Sequence, residues 1–273
     1  MDSTIVKLKL IYPDMVLEWL RNGGYILKKY TGHSETMVIP SCIKHIKPCC
    51  FIGNKSIKTV RIMCDGEVDI GKAAFKDSSI SKIEIQSRSY KLGSSVFSNC
   101  KNLHDIDLTG CTWIERMCFS GAGLCSVDLT GSSIGTDLTD EEKMWNAFEF
   151  NVELTEVKLT GKIKCISNAM FNGCNNLADI SIPEGVEVLG PYAFGSVGIK
   201  EMVLPSSVRV INNWAFYGSK VEHLIIKGKN LILDNMALNN MSNLKRITAG
   251  KEVIELLKVN RQFNKQVEFG CIG

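Results

Sequence analysis

Cysteine and histidine are the residue types here best suited to chemistry, and the chain carries eleven of the first and four of the second. Cys111, Cys118 and Cys125 recur every seventh residue, which invites a metal reading. Tetrahedral zinc is usually held by close pairs such as C-x2-C. No such pair occurs, and the three thiols fall on a turn, a Phe-ending segment and a strand. Cys49 and Cys50 are adjacent and read as half-buried neighbours of Phe51 rather than as a redox pair. A cysteine nucleophile needs a histidine base nearby in space. The histidines are His33, His45, His104 and His223. The last two lie on recurring strands five units apart, which at ordinary strand spacing is about 24 Å, so they share no site. No P-loop, G-x-S-x-G or dinucleotide fingerprint occurs. The expectation is no catalytic residue, no metal and no cofactor.

Carboxylates form the second suggestive set. A short segment of pattern L-x-x-I-x-L recurs along the chain, and the positions flanking its middle apolar residue face outward. The first outward column reads Thr59, Lys82, Asp105, Ser126, Glu156, Asp179, Glu201, His223 and Arg246. The second reads Arg61, Glu84, Asp107, Asp128, Lys158, Ser181, Val203, Ile225 and Thr248. Asp105, Asp107 and Asp128 should cluster, with Glu84 and Glu156 close by. Val203 and Ile225 interrupt the polar surface beside His223. An ordinary solvated strand face would carry such charges too. As a partner site, the acidic centre would steer a basic surface of another protein and the apolar spot would supply burial. Calcium is disfavoured, because no loop has the dense ligand spacing its sites show.

The elements that hold these columns repeat. Anchor segments end at Phe51, Phe75, Phe97, Phe119, Phe148, Phe171, Phe194, Phe216 and Leu238, in steps of 24, 22, 22, 29, 23, 23, 22 and 22 residues. Each is followed by the L-x-x-I-x-L strand, a Pro or Gly turn as at Pro183, Pro205, Gly110 and Gly161, and a second apolar edge such as Val186-Val188-Leu189. One unit cannot bury its own apolar side, whereas stacked units can, with the phenylalanines forming a ladder inside.

The stretch Leu177-Ala-Asp-Ile-Ser-Ile-Pro-Glu-Gly-Val-Glu-Val-Leu-Gly-Pro-Tyr-Ala-Phe194 resembles the repeat of the BspA-like leucine-rich repeat family. Val203 through Phe216 is similar, as are the segments Asn99-Cys100-Lys-Asn-Leu103 and Gly173-Cys174-Asn-Asn-Leu177. The resemblance covers roughly residues 35 to 250 and departs where Thr-Gly replaces the Pro turn. It implies an α/β repeat, a leucine-rich-repeat solenoid of about nine units of 22–24 residues, with one parallel sheet and short helical or 3₁₀ turns at the anchors. It also implies binding rather than catalysis, and adhesin-like roles at a surface.

The expected division is an N-terminal cap at 1–34, the solenoid at 35–250 with an insert near 133–146, and a C-terminal cap at 251–273, since exposed solenoid ends need covering. Thr4 to Leu10 reads as a strand and Pro13 to Arg21 as a helix stopped by Asn22-Gly23-Gly24. Residues 251–260 read as a helix burying Val253, Ile254, Leu256 and Leu257. The insert opens with Thr139-x-x-Glu142, a capping-box spacing. Its Trp145 is either an exposed partner anchor or, as its place beside Phe148 favours, a residue packed inward.

Net charge is +3, too small to argue for nucleic acid, although Lys162, Lys164, Lys227 and Lys229 would give a nucleic-acid or nucleoprotein binder a basic stripe. No apolar run is long enough for a membrane helix. The N-terminus lacks signal-peptide features, and the odd set of thiols suits a reducing compartment. The reading is therefore a non-enzymatic protein-binding scaffold in the cytoplasm or inside a host cell, acting as an effector or inhibitor. A secreted or surface adhesin whose leader is absent from this sequence is the alternative.

Overall fold

A large aromatic ring returning about every 22 residues can be buried only if successive turns of chain stack in register. The computed structural model, which describes residues 3–21, 23–134, 144–260 and 267–272, shows that stack: a β-solenoid of about ten coils. The eight anchor phenylalanines are all fully buried. From Phe51 to Phe216 their rings follow one another at 4.7–5.9 Å between centroids, with planes 3–17° apart. Tyr30 begins the column, 5.3 Å from Phe51, and Leu238 ends it, 1% exposed. Aliphatic columns from the L-x-x-I-x-L strands and the second edges complete the core.

The anchors are not helical. No α- or 3₁₀-helix is assigned to any anchor segment among the described residues. The reason is a repeated reversal of backbone handedness. From Phe51 to Phe216, the residue two before each anchor has φ of +48° to +60°: Cys49, Ala73, Ser95, Met117, Asn146, Ala169, Tyr192 and Trp214. The residue two after each of the nine anchors is left-handed too: Gly53, Asp77, Asn99, Gly121, Phe150, Gly173, Ser196, Gly218 and Asn240. Alternation of this kind turns every second N–H toward the next coil, where a helix would aim all of them along its own axis. Thus Phe51 N–H donates to Ala74 O at 2.7 Å, Phe97 to Cys118 O at 2.8 Å and Phe119 to Ala147 O at 2.8 Å. The intervening amides close local turns, as Lys76 N–H does on Ala73 O at 3.2 Å.

The strands form two faces. On the first, which carries the two outward columns, parallel sheets join Thr36–Ile39, Thr59–Met63 and Lys82–Gln86; then Ser126–Asp128 and Glu156–Lys158; then Glu201–Leu204, His223–Ile226, Arg246–Ala249 and Glu268–Cys271. This strand face is therefore three sheets rather than one. The amides of Asp105 to Leu108 make no ladder bond to either side, and residues 179–182 meet their neighbours through one bridge, Lys158 to Ser181. The second face stacks Tyr25–Tyr30, Ile43–Ile46, Glu67–Ile70, Ser89–Leu92 and Cys111–Ile114, and further on Cys165–Ile166, Val188–Leu189, Val210–Ile211 and Ile232–Leu233.

At the N-terminus the expected order is reversed: Ser3–Ile11 is the helix and Met15–Trp19 the strand. The strand wins because Met15 and Leu17 alternate inward and pair antiparallel with Tyr25–Tyr30. Gly23 and Gly24, at φ +91° and +89°, form the hairpin turn instead of ending a helix. A Cβ at Gly24 would lie 2.8 Å from Lys44 Cγ and 3.0 Å from Cys42 O, so a neighbouring coil also requires that glycine. At the other end Lys251–Asn260 is helical and buries Val253, Ile254 and Leu257, with Leu256 partly covered. The capping-box segment lies outside the described residues.

Phe119→Ala should cost about 3–5 kcal/mol, the range for emptying a buried aromatic site, read as a loss of chemical-denaturation stability. Gly121→Ala should cost about 1–2 kcal/mol from left-handed backbone alone, because Gly121 sits at φ +62° with Asn99 Oδ1 2.9 Å from the added carbon. A neutral result for Gly121→Ala would refute the handedness account.

Candidate protein-binding face

The outward columns are confirmed in register wherever the ladder is continuous. Thr36, Thr59 and Lys82 align, as do Val38, Arg61 and Glu84. Ser126 faces Glu156 and Asp128 faces Lys158. Glu201, His223, Arg246 and Glu268 form one column, and Val203, Ile225, Thr248 and Gly270 the other.

The carboxylates are less free than the column pattern implies. Glu84 lies 2.8 Å from both Lys82 and Arg61; the Lys82 hydrogen bond, then the Arg61 charge, hold its carboxyl below the usual range. Asp128 accepts from the Thr130 hydroxyl at 2.6 Å and amide at 2.8 Å, which lowers its pKa, and Lys158 stands 3.9 Å away. Glu156 pairs with the same lysine at 3.2 Å. Asp107 caps the Thr109 amide at 2.8 Å, while Asp105 is exposed. Asp105 and Asp107 share the coil that the ladder skips, so no strand pairing registers them against Asp128.

The C-terminal part of the face is more organised. Val203 and Ile225 lie side by side, both half-exposed. Beside them runs a hydrogen-bonded chain that the sequence did not reveal: Glu201 Oε2 to His223 Nδ1 at 3.0 Å, and His223 Nε2 to Thr248 Oγ1 at 2.8 Å. His223 is thus fixed on both nitrogens, and its side chain is 26% exposed. Columns read from sequence contain all three residues. What they hide is that a side chain can bond diagonally, across one strand and two residues along. Next to this chain, at the second break in the ladder, is a groove of about 770 Å³ lined by Asp179, Ser181, Pro183, Glu201, Val203 and Lys227.

The thiols do not assemble a reactive centre. Cys125 Sγ is 3.9 Å from His104 Nδ1, a pair one coil apart that a comparison of the two histidines could not detect. That nitrogen also lies 3.0 Å from Gly123 O, and a carbonyl can only accept, so Nδ1 carries the proton and cannot take one from the thiol. Burial pushes Cys100 up to about 11 and Cys50, Cys111 and Cys174 up to about 12, and raises Cys118 well above its ordinary value. All eleven cysteines are free. Trp145 is half-buried beside the anchor; its carbonyl accepts from Met117 N–H at 2.7 Å, and its buried indole N–H has no partner among the described residues. Of the four lysines in the basic stripe, Lys164 stands 3.9 Å from Glu187, while Lys227 and Lys229 line a shallow cavity with Arg209. Among the described residues no group of three or more His, Cys, Asp or Glu side chains could hold a metal ion. No helix among them is long and apolar enough to cross a membrane.

The chain belongs to the BspA type leucine rich repeat region family, whose model matches residues 27–138 and 144–264 in six copies. This class of fold generally serves as a non-enzymatic binding scaffold. Among solved structures, a leucine-rich repeat protein from Bacteroides ovatus ATCC 8483 is 20% identical, with a TM-score of 0.64 over 87% of this chain and 70% of that one. The T. pallidum leucine rich repeat protein is 23% identical, with a TM-score of 0.56 over 67% of this chain and 86% of that one. At these identities the likeness is one of fold. No curated relative matches.

Because Cys49, Cys125 and Cys271 are exposed while Cys50, Cys64, Cys100, Cys111, Cys118 and Cys174 are buried, a thiol reagent should label the first three rapidly in the native protein. The buried six should react only after denaturant is added. Rapid native labelling of Cys100 or Cys118 would contradict the packing described.

Proposed function

We propose that this chain is a protein-binding scaffold whose partner docks on the strand face, centred on Val203 and Ile225 rather than on the carboxylates alone. The observation that carries this reading is the adjacency of two half-exposed β-branched residues, a groove of about 770 Å³ and the fixed Glu201–His223–Thr248 chain. Apolar burial ringed by ordered polar groups is how interface centres gain energy. Glu84, Asp105, Asp107, Asp128 and Glu156 serve as the steering part of the same face. Lys82, Arg61 and Lys158 already neutralise three of them, so their influence falls on association rate more than on affinity.

The eleven free thiols fit a reducing compartment, and an intracellular effector or inhibitor is the form of scaffold this favours. Trp145, half-buried beside Phe148, belongs to the ladder rather than to the docking surface in this reading.

The test is capture of a protein partner by the intact chain, by Val203→Asp/Ile225→Asp and by Asp105→Lys/Asp107→Lys/Asp128→Lys, with circular dichroism as the fold check. The apolar-site variant should lose affinity by about tenfold or more, as expected for a hot-spot loss of at least ~1.4 kcal/mol. The triple lysine variant should mainly change the association rate and its salt dependence. Undiminished capture by a folded Val203→Asp/Ile225→Asp variant would refute the proposed centre.

A further inference from the structure

The strand face has an open N-terminal end. Its first strand, Thr36–Ile39, pairs with Thr59–Met63 on one side and with no strand on the other among the described residues. The second face runs further, through Tyr25–Tyr30 to Met15–Trp19, so the strand face stops short beside it. The register tells which backbone groups a further strand would meet. Thr59 N–H donates to Glu35 O at 2.9 Å, and a parallel ladder uses alternate residues of each strand. Met37 and Ile39 therefore bond toward Thr59–Met63, while the N–H and C=O of Thr36 and Val38 point away from it. Neither of those two amides donates to a backbone carbonyl among the described residues.

A groove of about 410 Å³ lies along this edge. It is lined by residues 36–38, by residues 11–15, which link the N-terminal helix to the hairpin, and by Tyr30 and Ser34. Its rim is apolar: Ile11 is 65% exposed and Val38 39%. Unbonded strand backbone beside exposed apolar side chains is a template for another strand. A helix spends its amides on itself and could cover only the apolar rim. An extended segment satisfies both, bonding Thr36 and Val38 through its backbone and placing alternate side chains in the groove. Its inward residues would extend the columns of Met37 and Ile39, so they must be apolar. Asp14 is the one charged side chain on the lining, and it forms no ion pair with another described residue, which favours a lysine or arginine flanking the segment.

We propose that the Thr36–Ile39 edge is a second docking site, which takes an extended partner segment of alternating apolar residues with a basic flank as an added β-strand. The site is separate from the Val203–Ile225 centre, and the two stand or fall independently.

The test is a titration of the full chain with Ac-Lys-Ile-Thr-Ile-Lys-NH₂, read by amide hydrogen exchange. In the free chain the Thr36 and Val38 amides should exchange rapidly while those of Met37 and Ile39 are protected, and the peptide should protect the first pair. The same peptide N-methylated at both isoleucines and the threonine should bind about tenfold or more weakly, the worth of two backbone bonds. A glutamate-flanked version should bind about threefold more weakly, the scale of one exposed ion pair. Val38→Pro should abolish binding and still fold, because the Val38 amide makes no ladder bond and proline is tolerated on edge strands. Ile11→Ser, which alters only the exposed rim, should weaken binding about threefold. Thr36 and Val38 amides already protected in the free chain, equal affinity for the N-methylated peptide, or unchanged binding in folded Val38→Pro would overturn the proposal. Equal affinity for the glutamate-flanked peptide would overturn the basic flank. Self-association of the chain that Val38→Pro abolishes would assign the edge to a second copy and overturn the partner assignment. Val203→Asp/Ile225→Asp should bind the peptide as the intact chain does. Loss of peptide binding in that folded variant would place the peptide at the other centre and overturn the edge site.

Discussion

Everything in this molecule depends on one constraint: each coil must lend its backbone amides and one aromatic ring to the next. The phenylalanine column and the amides beside it act together. Phe119 stacks on Phe97 and Phe148 at 5.4 Å on each side, and its own N–H bonds to the carbonyl of Ala147. A ring displaced from the column would also pull a backbone bond out of line. Stability in such a stack is nearly a sum of nearest-neighbour terms, so the contacts that hold the fold also fix the spacing of everything on its surface.

That spacing is what gives the strand face its chemistry. Parallel strands in register bring residues about 22 positions apart to within hydrogen-bond reach, and side chains then bond diagonally as well as straight across. His223 links Glu201 to Thr248 this way, and Arg246 leans over Gly270 on the same slant. Strand pairing lapses at residues 105–108 and thins at residues 179–182 to the single bridge between Lys158 and Ser181. The acidic centre straddles the first break and the groove occupies the second, so the two halves of the face differ in order as well as in composition.

The solenoid was legible because its signal is periodic. The anchor steps, the L-x-x-I-x-L strands and the outward columns are all visible in the order of residues, and the columns hold wherever strands pair. The handedness of the anchors was not legible. Left-handed backbone usually announces itself as glycine, yet Ala73, Ser95, Met117 and Trp214 adopt it, because bonds to the next coil outweigh a strain of about 1–2 kcal/mol. The N-terminal hairpin was not legible for a related reason: Gly23 and Gly24 serve a turn between strands as readily as the end of a helix. On the face, residue type alone could not show that Lys82 and Lys158 neutralise carboxylates, or that His223 is held on both sides. Those depend on which way each side chain leans.

The most direct test of the central claim, that function resides on the ordered C-terminal part of the strand face, is amide hydrogen exchange of the intact chain with and without its captured partner. The account predicts new protection at residues 201–204, 223–226 and 246–249, with the anchor turns unchanged. Protection confined to the anchor turns, the N-terminal hairpin or the C-terminal helix, with those strands unaffected, would contradict it.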